Sequence, residues 1–216
     1  MHIELDHLFV CASRGAPEAE ELVQFGLREG PSNHHAGQGT ANRRFPFLNS
    51  MIELFWVNDA HEAQSPGTRR TQLWERWSER DSGSCPYGIC VRPVDAGHDE
   101  PPFPAWTYQP SYLQDPLVMH IGEAGIAEPM WVYLGFMQRT YREEQFVEHP
   151  IGIREITGLT LTTPAPLLSA ASQTMVKNEV ISTQVGRGFL LEIEFDNGSR
   201  KQVRDFRPHL PLLFQF

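Results

Sequence analysis

Apolar and polar positions in the first 30 residues predict a strand followed by a helix. Residues 3–11 (IELDHLFVC) are mostly apolar, with polar residues at alternate places early in the run, which is typical of a partly buried strand. In the next segment Pro17 suits the first helical position, glutamates follow it, and Gly30 suits the helix end. We therefore expect a strand and then an amphipathic helix.

The next two apolar runs, 42–48 and 51–57, predict a β-hairpin with Asn49-Ser50 as its loop. In this register residue 48 pairs with 51, and paired residues share a face of the sheet. One face then carries Phe45, Phe47, Ile52, Leu54 and Trp56, whereas the other carries Asn42, Arg44, Glu53 and Phe55. A face with a carboxylate and a guanidinium is suited to binding a ligand.

Residues 60–150 contain weaker patterns. Leu73, Trp74 and Trp77 have helical spacing and predict a short amphipathic helix over 70–80. Strands are predicted at 86–94, 117–122 and 130–136. The segment 93–116 holds six of the 17 prolines and is expected to be irregular or extended. Its aromatic residues, Trp106, Tyr108 and Tyr112, are candidates for covering a pocket.

The order of one strand, one helix and three strands occurs a second time after residue 151. The predicted elements are strand 153–163, helix 166–177, strand 179–185 and a hairpin of 189–195 with 200–206 around Asp196-Asn197-Gly198. Pro17 and Pro166 are 149 residues apart, and Asn49 and Asn197 are 148 apart. The predicted fold is α+β. Two βαβββ modules, 1–59 and 151–216, flank an insertion of residues 60–150 and form a cupped, incomplete barrel-like mixed sheet in one compact domain.

Composition narrows the class of protein. The 216 residues are enough for a sizeable core, and the net charge of −9, with no basic run longer than a pair, argues against a nucleic-acid partner. No apolar stretch approaches the ~20 residues that span a bilayer, and the N-terminus lacks the pattern of a signal peptide. The three cysteines indicate neither a disulfide framework nor a zinc motif. We expect a soluble, cytoplasmic protein with no membrane partner.

Four segments resemble the vicinal oxygen chelate superfamily, which includes glyoxalases, bleomycin-resistance proteins and dihydroxybiphenyl dioxygenases. They are LDHLFV at 5–10, HHAGQGTANRRFPFLNSMIELFWVND at 34–59, RTQLWERW at 70–77 and RPHLP at 207–211, and the last two resemble glyoxalase-like proteins of unassigned reaction. The resemblance implies two βαβββ modules that form a cup, with a divalent metal held by the first and fourth strands of each module. In most such proteins the metal binds two vicinal oxygens of the substrate.

By this resemblance His7 lies at the first-strand ligand position of the first module and Glu53 at its fourth-strand position. Imidazole and carboxylate suit Zn, Mn, Fe, Co or Ni, and Glu53 beside a metal-bound substrate can also act as the catalytic base. Structural explanations stay open as well. His7 also fits a core histidine, and Glu53 also fits a salt bridge with Arg44.

The second module departs from the family pattern. The position that matches His7 is near Gly158, and the position that matches Glu53 falls within 202–204. Because a catalytic metal usually has three protein ligands, Glu192 is the proposed third ligand, with His120 as the alternative. The set of two histidines and one carboxylate found in iron oxygenases is not visible, which argues against dioxygenase chemistry.

The predicted function is binding of a small, oxygen-rich organic molecule in the cup. The expected substrate-binding residues are Asn42, Arg44, Phe55, Trp106 and Tyr108. One interpretation is a divalent-metal-dependent lyase or isomerase, in which Glu53 moves a proton and Arg44 holds the negative end of the substrate. The other is a metal-free module that sequesters a small molecule, as drug-binding members of the superfamily do. The polar cup face argues against a purely structural role, and homodimerisation stays open because relatives often pair.

Overall fold

Within residues 2–216, which the computed structural model describes, the strands form two mixed sheets joined by short helices. The large sheet contains β1 (Ile3–Cys11), β2 (Gly30–His35), β3 (Thr40–Pro46), β4 (Met51–Val57), β5 (Tyr87–Pro93), β6 (Ala105–Tyr108), β7 (Met119–Gly122) and β8 (Met130–Tyr133). The small sheet contains β9 (Ile156–Thr163), β10 (Ser182–Val185), β11 (Leu190–Phe195), β12 (Val203–Asp205) and β13 (Leu212–Gln215). The helices are α1 (Ala19–Phe25), α2 (Ala60–Ala63), α3 (Leu73–Ser78), α4 (Arg139–Gln145) and α5 (Ala170–Lys177). In the same residues no helix has both the length and the apolar character that crossing a bilayer requires.

The large sheet consists of two halves that repeat one pairing pattern. Its order is β2-β3-β4-β1 in the first half and β5-β8-β7-β6 in the second. In each half the first strand is parallel to the fourth, as the pairs Phe9–Glu53 and Cys90–Val132 show. The antiparallel neighbours β1 and β5 join the halves at the centre. The two halves differ in one connection, because α1 follows β1 whereas residues 94–104 contain no helix.

The predicted α+β class and cupped mixed sheet are confirmed. The structure differs in the segment that supplies the second half of the sheet, which is residues 87–133 and thus part of the predicted insertion. Residues 151–216, expected to be the second module, contain the small sheet, of order β10-β9-β11-β13-β12. Local patterns predict where strands and helices occur, but the partner of each strand depends on tertiary packing.

The first predicted hairpin forms with a register shifted by two residues. Arg44 pairs with Glu53 and Phe45 with Ile52, so the loop consists of residues 47–50 rather than of two residues. The loop is closed by the backbone N–H of Phe47, which donates to the carbonyl of Ser50 at 2.8 Å. Because side chains alternate with a period of two, this shift leaves every side chain on its predicted face.

The second predicted hairpin, around Asp196-Asn197-Gly198, is wrong. Strand β13 lies between β11 and β12, parallel to the first and antiparallel to the second. The turn residues have the positive φ angles that their sequence favours. However, the Asp196 carboxylate accepts hydrogen bonds from the backbone N–H groups of Arg154 and Glu155, at 3.1 and 3.0 Å. The turn is therefore anchored to the start of β9 and does not return the chain alongside β11.

The two faces of the large sheet have different surroundings. One face carries fully buried side chains such as Leu8, Ile52 and Trp131, and it packs with the small sheet in one core. Helix α5 covers the second half of this face, where Trp131 Nε1 donates to Ser172 Oγ at 2.8 Å. The opposite face carries a separate apolar cluster that includes Phe9, Phe55 and Val132. That second cluster forms the floor of a cavity.

Candidate functional site

A cavity of about 480 Å³ lies over the second face of the large sheet. This volume is within the range of small-molecule sites. Most of the wall is apolar and includes the side chains of Phe9, Phe55, Met51, Met119, Met130 and Met137. Thioether side chains are flexible and polarisable, so such a wall adapts to ligands of different shape. The charged and nucleophilic lining residues are His7, Arg44, Glu53, Cys90 and Arg142.

Alternation along β1, β3 and β4 brings the main predicted residues into this cavity. His7 and Glu53, the two residues proposed as metal ligands, both line it. Arg44 is the cross-strand partner of Glu53 and lines it too. Phe55 lies two residues beyond Glu53 on the same face and stacks on Phe9, with ring centroids 4.8 Å apart. The polar cup face predicted from the hairpin is therefore one wall of the cavity.

A bulge in β1 determines the orientation of His7. Leu5 pairs with Val91 and His7 pairs with Cys90, so Asp6 is an extra residue relative to β5. Bulges often redirect a side chain next to a functional site. Here the bulge lets the carboxylate of Asp6 reach the ring of its neighbour, and Asp6 Oδ1 lies 2.6 Å from His7 Nδ1.

Asp6 is a fully buried carboxylate surrounded by cations. It accepts hydrogen bonds from Arg92 Nη1 at 2.8 Å and from the guanidinium of Arg142. Burial by itself raises the pKa of this carboxyl, but the hydrogen bonds and charges of His7 and Arg142 lower the pKa well below its usual range. Asp6 is therefore ionised, and it holds α4, which carries Arg142, against the cavity.

The same interactions set the protonation state of His7. Burial lowers the pKa of its imidazole, but the neighbouring Cys90, the carboxylate of Asp6 and the charge of Glu53 together raise it to about 10. At neutral pH the ring is then an imidazolium with both nitrogens protonated.

The residues present do not fit the metal site implied by the family. The proposed third ligand, Glu192, lies in the small sheet, where Gln184 and Gln215 donate to its carboxylate at 3.2 and 3.0 Å. In the second half of the large sheet the strand that corresponds to β4 is β8, and its cavity-lining residues, Met130 and Val132, carry no oxygen or nitrogen ligand. Across residues 2–216 there is no group of three or more His, Cys, Asp or Glu side chains arranged to hold a metal ion. The expectation that Glu192 completes the site is corrected by its position.

The other predicted binding residues divide into two groups. Tyr108 lines the cavity, as Arg44 and Phe55 do. Asn42 is fully buried next to the cavity, where its Oδ1 accepts a hydrogen bond from the backbone N–H of Asn33 at 3.0 Å. Trp106 faces a separate cleft, and the Arg70 guanidinium lies 4.3 Å from its ring centroid. Trp106 and Asn42 are therefore not lining residues. Trp106 shares a face with Tyr108 but lies at the separate cleft beside Arg70, and Asn42 is held by its hydrogen bond to β2.

The proline-rich segment covers one side of the cavity. The hydroxyl groups of Tyr108 and Tyr112 donate to Gln38 Oε1 at 3.0 and 3.3 Å. The Tyr112 ring also packs on the imidazole of His35, with centroids 4.7 Å apart. Burial lowers the pKa of His35, which favours its neutral form. The glycine-rich loop 36–40 thus holds the covering segment in place.

Two lining residues, Cys90 and Arg142, were not predicted. Alternation along the predicted strand 86–94 groups Cys90 with Arg92, but it does not show that β5 lies next to β1. Arg142 belongs to α4, a polar segment (RTYREEQ) without an apolar stripe. Its role depends on a buried carboxylate 136 residues earlier, so no local pattern reveals it.

Comparison with known proteins identifies the family. A family described as a glyoxalase-like domain matches residues 5–176. No curated protein matches the chain. Among solved structures, a hypothetical protein from Staphylococcus aureus is similar over 98% of both chains, with a TM-score of 0.52 and 10% sequence identity. At this identity the structural likeness concerns the fold. Because the family match spans β1 to α5 and most of the chain, the protein belongs to the glyoxalase-like domain family of the vicinal oxygen chelate superfamily.

Proposed function

We propose that this protein binds a small organic molecule with an apolar body and an anionic, oxygen-rich head, without a metal ion. The proposal rests on the division of the cavity wall into a large apolar part and a small part with charged side chains. An apolar wall with several methionines surrounds most of the space, while His7, Arg44 and Arg142 place cationic groups against a single lining carboxylate, Glu53, among the described residues. Asp6, which pairs with Arg142, is buried behind the wall.

Arg44 is the best anchor for the anionic head. Its Nε donates to the carbonyl of Pro31, which fixes the side chain while its terminal nitrogens stay available as donors. In contrast, Arg142 directs its nitrogens to Asp6 and Gln145. A guanidinium binds a carboxylate through two parallel hydrogen bonds, which gives both affinity and orientation.

The position of Glu53 favours a second candidate, proton transfer on the bound molecule. Its side chain is 8% exposed and lines the cavity. A carboxylate at the surface of a small-molecule cavity can remove a proton next to a carbonyl group if the ligand brings that proton within hydrogen-bond distance. This candidate keeps Glu53 as the catalytic base of an isomerase or lyase and derives no step from a metal.

Binding is tested with 4-phenylbutyrate and with 4-phenylbutanol, which lacks the carboxylate, by isothermal titration calorimetry on the full chain. We expect the acid to bind at least tenfold more tightly than the alcohol, because only the acid pairs with Arg44. The Arg44→Gln variant should lose about tenfold in affinity for the acid, equivalent to about 1.4 kcal/mol.

The matched control is Arg187→Gln, which changes an exposed arginine in the loop after β10. Its affinity for the acid should equal that of the unchanged protein. Equal affinities for acid and alcohol, or no binding of either, would contradict the proposal. Elemental analysis provides a second check. A stoichiometric divalent ion that disappears in both His7→Gln and Glu53→Gln would favour the metal-dependent interpretation instead.

A further inference from the structure

The side chains of Asp6, His7 and Cys90 form a cluster at the centre of the large sheet. The proposed function assigns no joint role to these three residues. Asp6 and His7 are adjacent in β1, and Cys90 is the residue of β5 that pairs directly with His7. Directly opposed residues of antiparallel strands have Cβ atoms about 5 Å apart and share a face. His7 and Cys90 accordingly both line the cavity.

The order of contacts in this cluster is carboxylate, imidazole, thiol. Asp6 Oδ1 binds His7 Nδ1 at 2.6 Å, so the second ring nitrogen, Nε2, is the one left for a proton exchange with a neighbour. A nucleophile next to a base whose orientation is fixed by a third group is the general arrangement for nucleophilic catalysis. Cysteines beside a histidine are among the reactive ones, because the imidazole holds the proton and the thiolate is the attacking form.

The other two cysteines of the chain provide an internal comparison. Cys11 pairs with Phe55, and its thiol has no imidazole across the strand. Cys85 precedes β5, where its backbone N–H donates to the carbonyl of Ile126. Burial raises the pKa of both thiols to about 12. Within the described residues, Cys90 is the cysteine that lines the cavity.

We propose that Cys90 is a nucleophile that adds to an electrophilic ligand in the cavity, with His7 carrying the proton and Asp6 holding the ring of His7. The ligand class is an α,β-unsaturated carbonyl compound, because its carbon skeleton suits the apolar wall and its reacting carbon is a soft electrophile. This inference rests on the proposed function only in that a small molecule enters the cavity.

The addition is balanced without a further reactant. The sulfur of Cys90 forms a bond to the β-carbon of the ligand while the carbon–carbon π bond breaks, and its electron pair moves to the α-carbon. Sulfur attacks as the thiolate, and the proton that it gave up, which is held on His7, passes to that α-carbon and leaves a neutral imidazole. The product is a thioether, and the reaction needs no oxidant or reductant.

The experiment exposes the full chain to a limiting amount of N-ethylmaleimide, which is a conjugated acceptor, and quantifies each cysteine by peptide mass spectrometry. We expect one early adduct, on Cys90, formed at least tenfold faster than on Cys11 or Cys85. The Cys90→Ala variant should form no early adduct, whereas Cys11→Ala should keep it.

The role of His7 is tested by His7→Gln, with His209→Gln as the matched control because His209 is exposed. The first variant should react at least tenfold more slowly at Cys90, and the second should react as the unchanged protein does. Circular dichroism checks that each variant is folded. Should His7→Gln fail to fold, the rate at Cys90 of the unchanged protein is compared with that of N-acetylcysteine at the same pH, and we expect Cys90 to react at least tenfold faster.

Modification of all three cysteines at similar rates would overturn the inference, as would an unchanged rate in folded His7→Gln or a rate no faster than that of N-acetylcysteine. The two proposals can fail separately. An early Cys90 adduct without 4-phenylbutyrate binding would contradict only the proposed function. Binding of 4-phenylbutyrate without an early adduct would contradict only the role of Cys90.

Discussion

At the scale of single residues, His149 illustrates how the fold controls ionisation. Its side chain is 5% exposed and packs against Phe47, with ring centroids 4.7 Å apart. Its Nδ1 accepts a hydrogen bond from the backbone N–H of Arg28 at 3.0 Å. Burial, together with the nearby charge of Arg28, lowers the pKa of His149 from the usual 6.5 to about 4. Protonation would remove the acceptor and place a charge among aromatic rings.

This residue predicts a loss of stability in mild acid. Between pH 6.5 and pH 4 the imidazole takes up a proton in the unfolded chain but not in the folded one, so the free energy of unfolding falls as pH falls through this window. One pKa unit corresponds to about 1.4 kcal/mol, and we expect a loss of about 2 kcal/mol after allowing for solvent near the ring. Urea unfolding at several pH values measures it.

The variants His149→Gln and His209→Gln separate this effect from other titrations. The first should show a smaller fall in stability between pH 6.5 and pH 4, because it cannot take up the proton. The second changes an exposed histidine and should keep the original pH dependence. Identical pH dependence in all three proteins would show that His149 is not responsible.

Residue chemistry in the site was partly predictable from the sequence. Arg44, Glu53 and Phe55 share the face that lines the cavity, because strand alternation decides the face of a side chain even when the register is shifted by two. His7 lines the same cavity, and the family resemblance rather than alternation pointed to it. Cys90 could not be found in this way, since its importance comes from being opposite His7 on another strand. Asp6 acquires its reach to His7 from a bulge, which the apolar run of β1 does not reveal.

At the scale of elements, the contact between β1 and β5 depends on Gly88. Gly88 pairs with Phe9 across the two strands, and the Phe9 ring lies directly over it. A Cβ added to Gly88 would lie 2.0 Å from Phe9 Cε1, which is far inside van der Waals contact. The glycine therefore lets an aromatic ring lie flat on the floor of the cavity.

We predict that Gly88→Ala destabilises the protein by about 2 kcal/mol, because overpacking in a well-packed region forces side chains and backbone to shift. The displaced Phe9 ring should also weaken 4-phenylbutyrate binding. The control is Gly125→Ala, since a Cβ at Gly125 meets nothing within 4 Å. Thermal and urea unfolding of both variants test the difference, and equal stabilities would contradict this account of the floor.

Strand pairing was the least predictable feature at this scale. The sequence repeat with an offset near 150 reflects a similar order of strands and helices in residues 1–59 and 151–216. The strands of these two segments nevertheless pair in different orders. The strands of residues 87–133 repeat the pairing of β1 to β4 although no helix separates β5 from β6. Because this segment lacks the helix of a βαβββ unit, its sequence pattern does not reveal the repeat and indicates an insertion instead. The turn at Asp196-Asn197-Gly198 predicted a hairpin for a related reason. A turn sequence shows that the chain bends, but it does not determine whether the strands before and after the turn pair with each other.

At the scale of the whole molecule, the loop 47–50 joins the two sheets. The side chain of Asn49 both donates to the carbonyl of Ile156 at 2.7 Å and accepts from its N–H at 3.0 Å. Phe47 packs on Phe195 of the small sheet, with ring centroids 4.9 Å apart. The sheets therefore share one core, and we expect them to unfold together.

Replacing Phe195 tests this coupling. Phe195 is fully buried and also contacts Phe214, 4.9 Å away between ring centroids. We predict that Phe195→Ala lowers the free energy of unfolding by about 4 kcal/mol, as expected for a large cavity in a core. Val185→Ala, in the same sheet but 63% exposed, should change it by less than about 0.5 kcal/mol. Two separate unfolding transitions in the unchanged protein would contradict a shared core.

Helix α5 replaces a helix that the second half of the large sheet lacks. It packs on the second half of that sheet through Ser172 and Ala171, which contact Trp131 and approach Gly122. The second half lacks a helix of its own after β5, so a helix from later in the chain covers this part of the core.

The unlike halves of the large sheet have a stereochemical consequence. The first half provides Arg44 and Glu53, and the second provides Met119 and Met130. A ligand anchored by its anionic end is thereby oriented with its other end toward the thioethers. The anionic end and the opposite end of the ligand are then both fixed in direction, and the sheet lies beneath the ligand. A substituent at a tetrahedral carbon of the ligand must therefore point either toward Tyr108 and Tyr112 or away from them. Mirror-image ligands would therefore bind with different affinities, and addition of sulfur to a planar double bond would occur on one of its two faces.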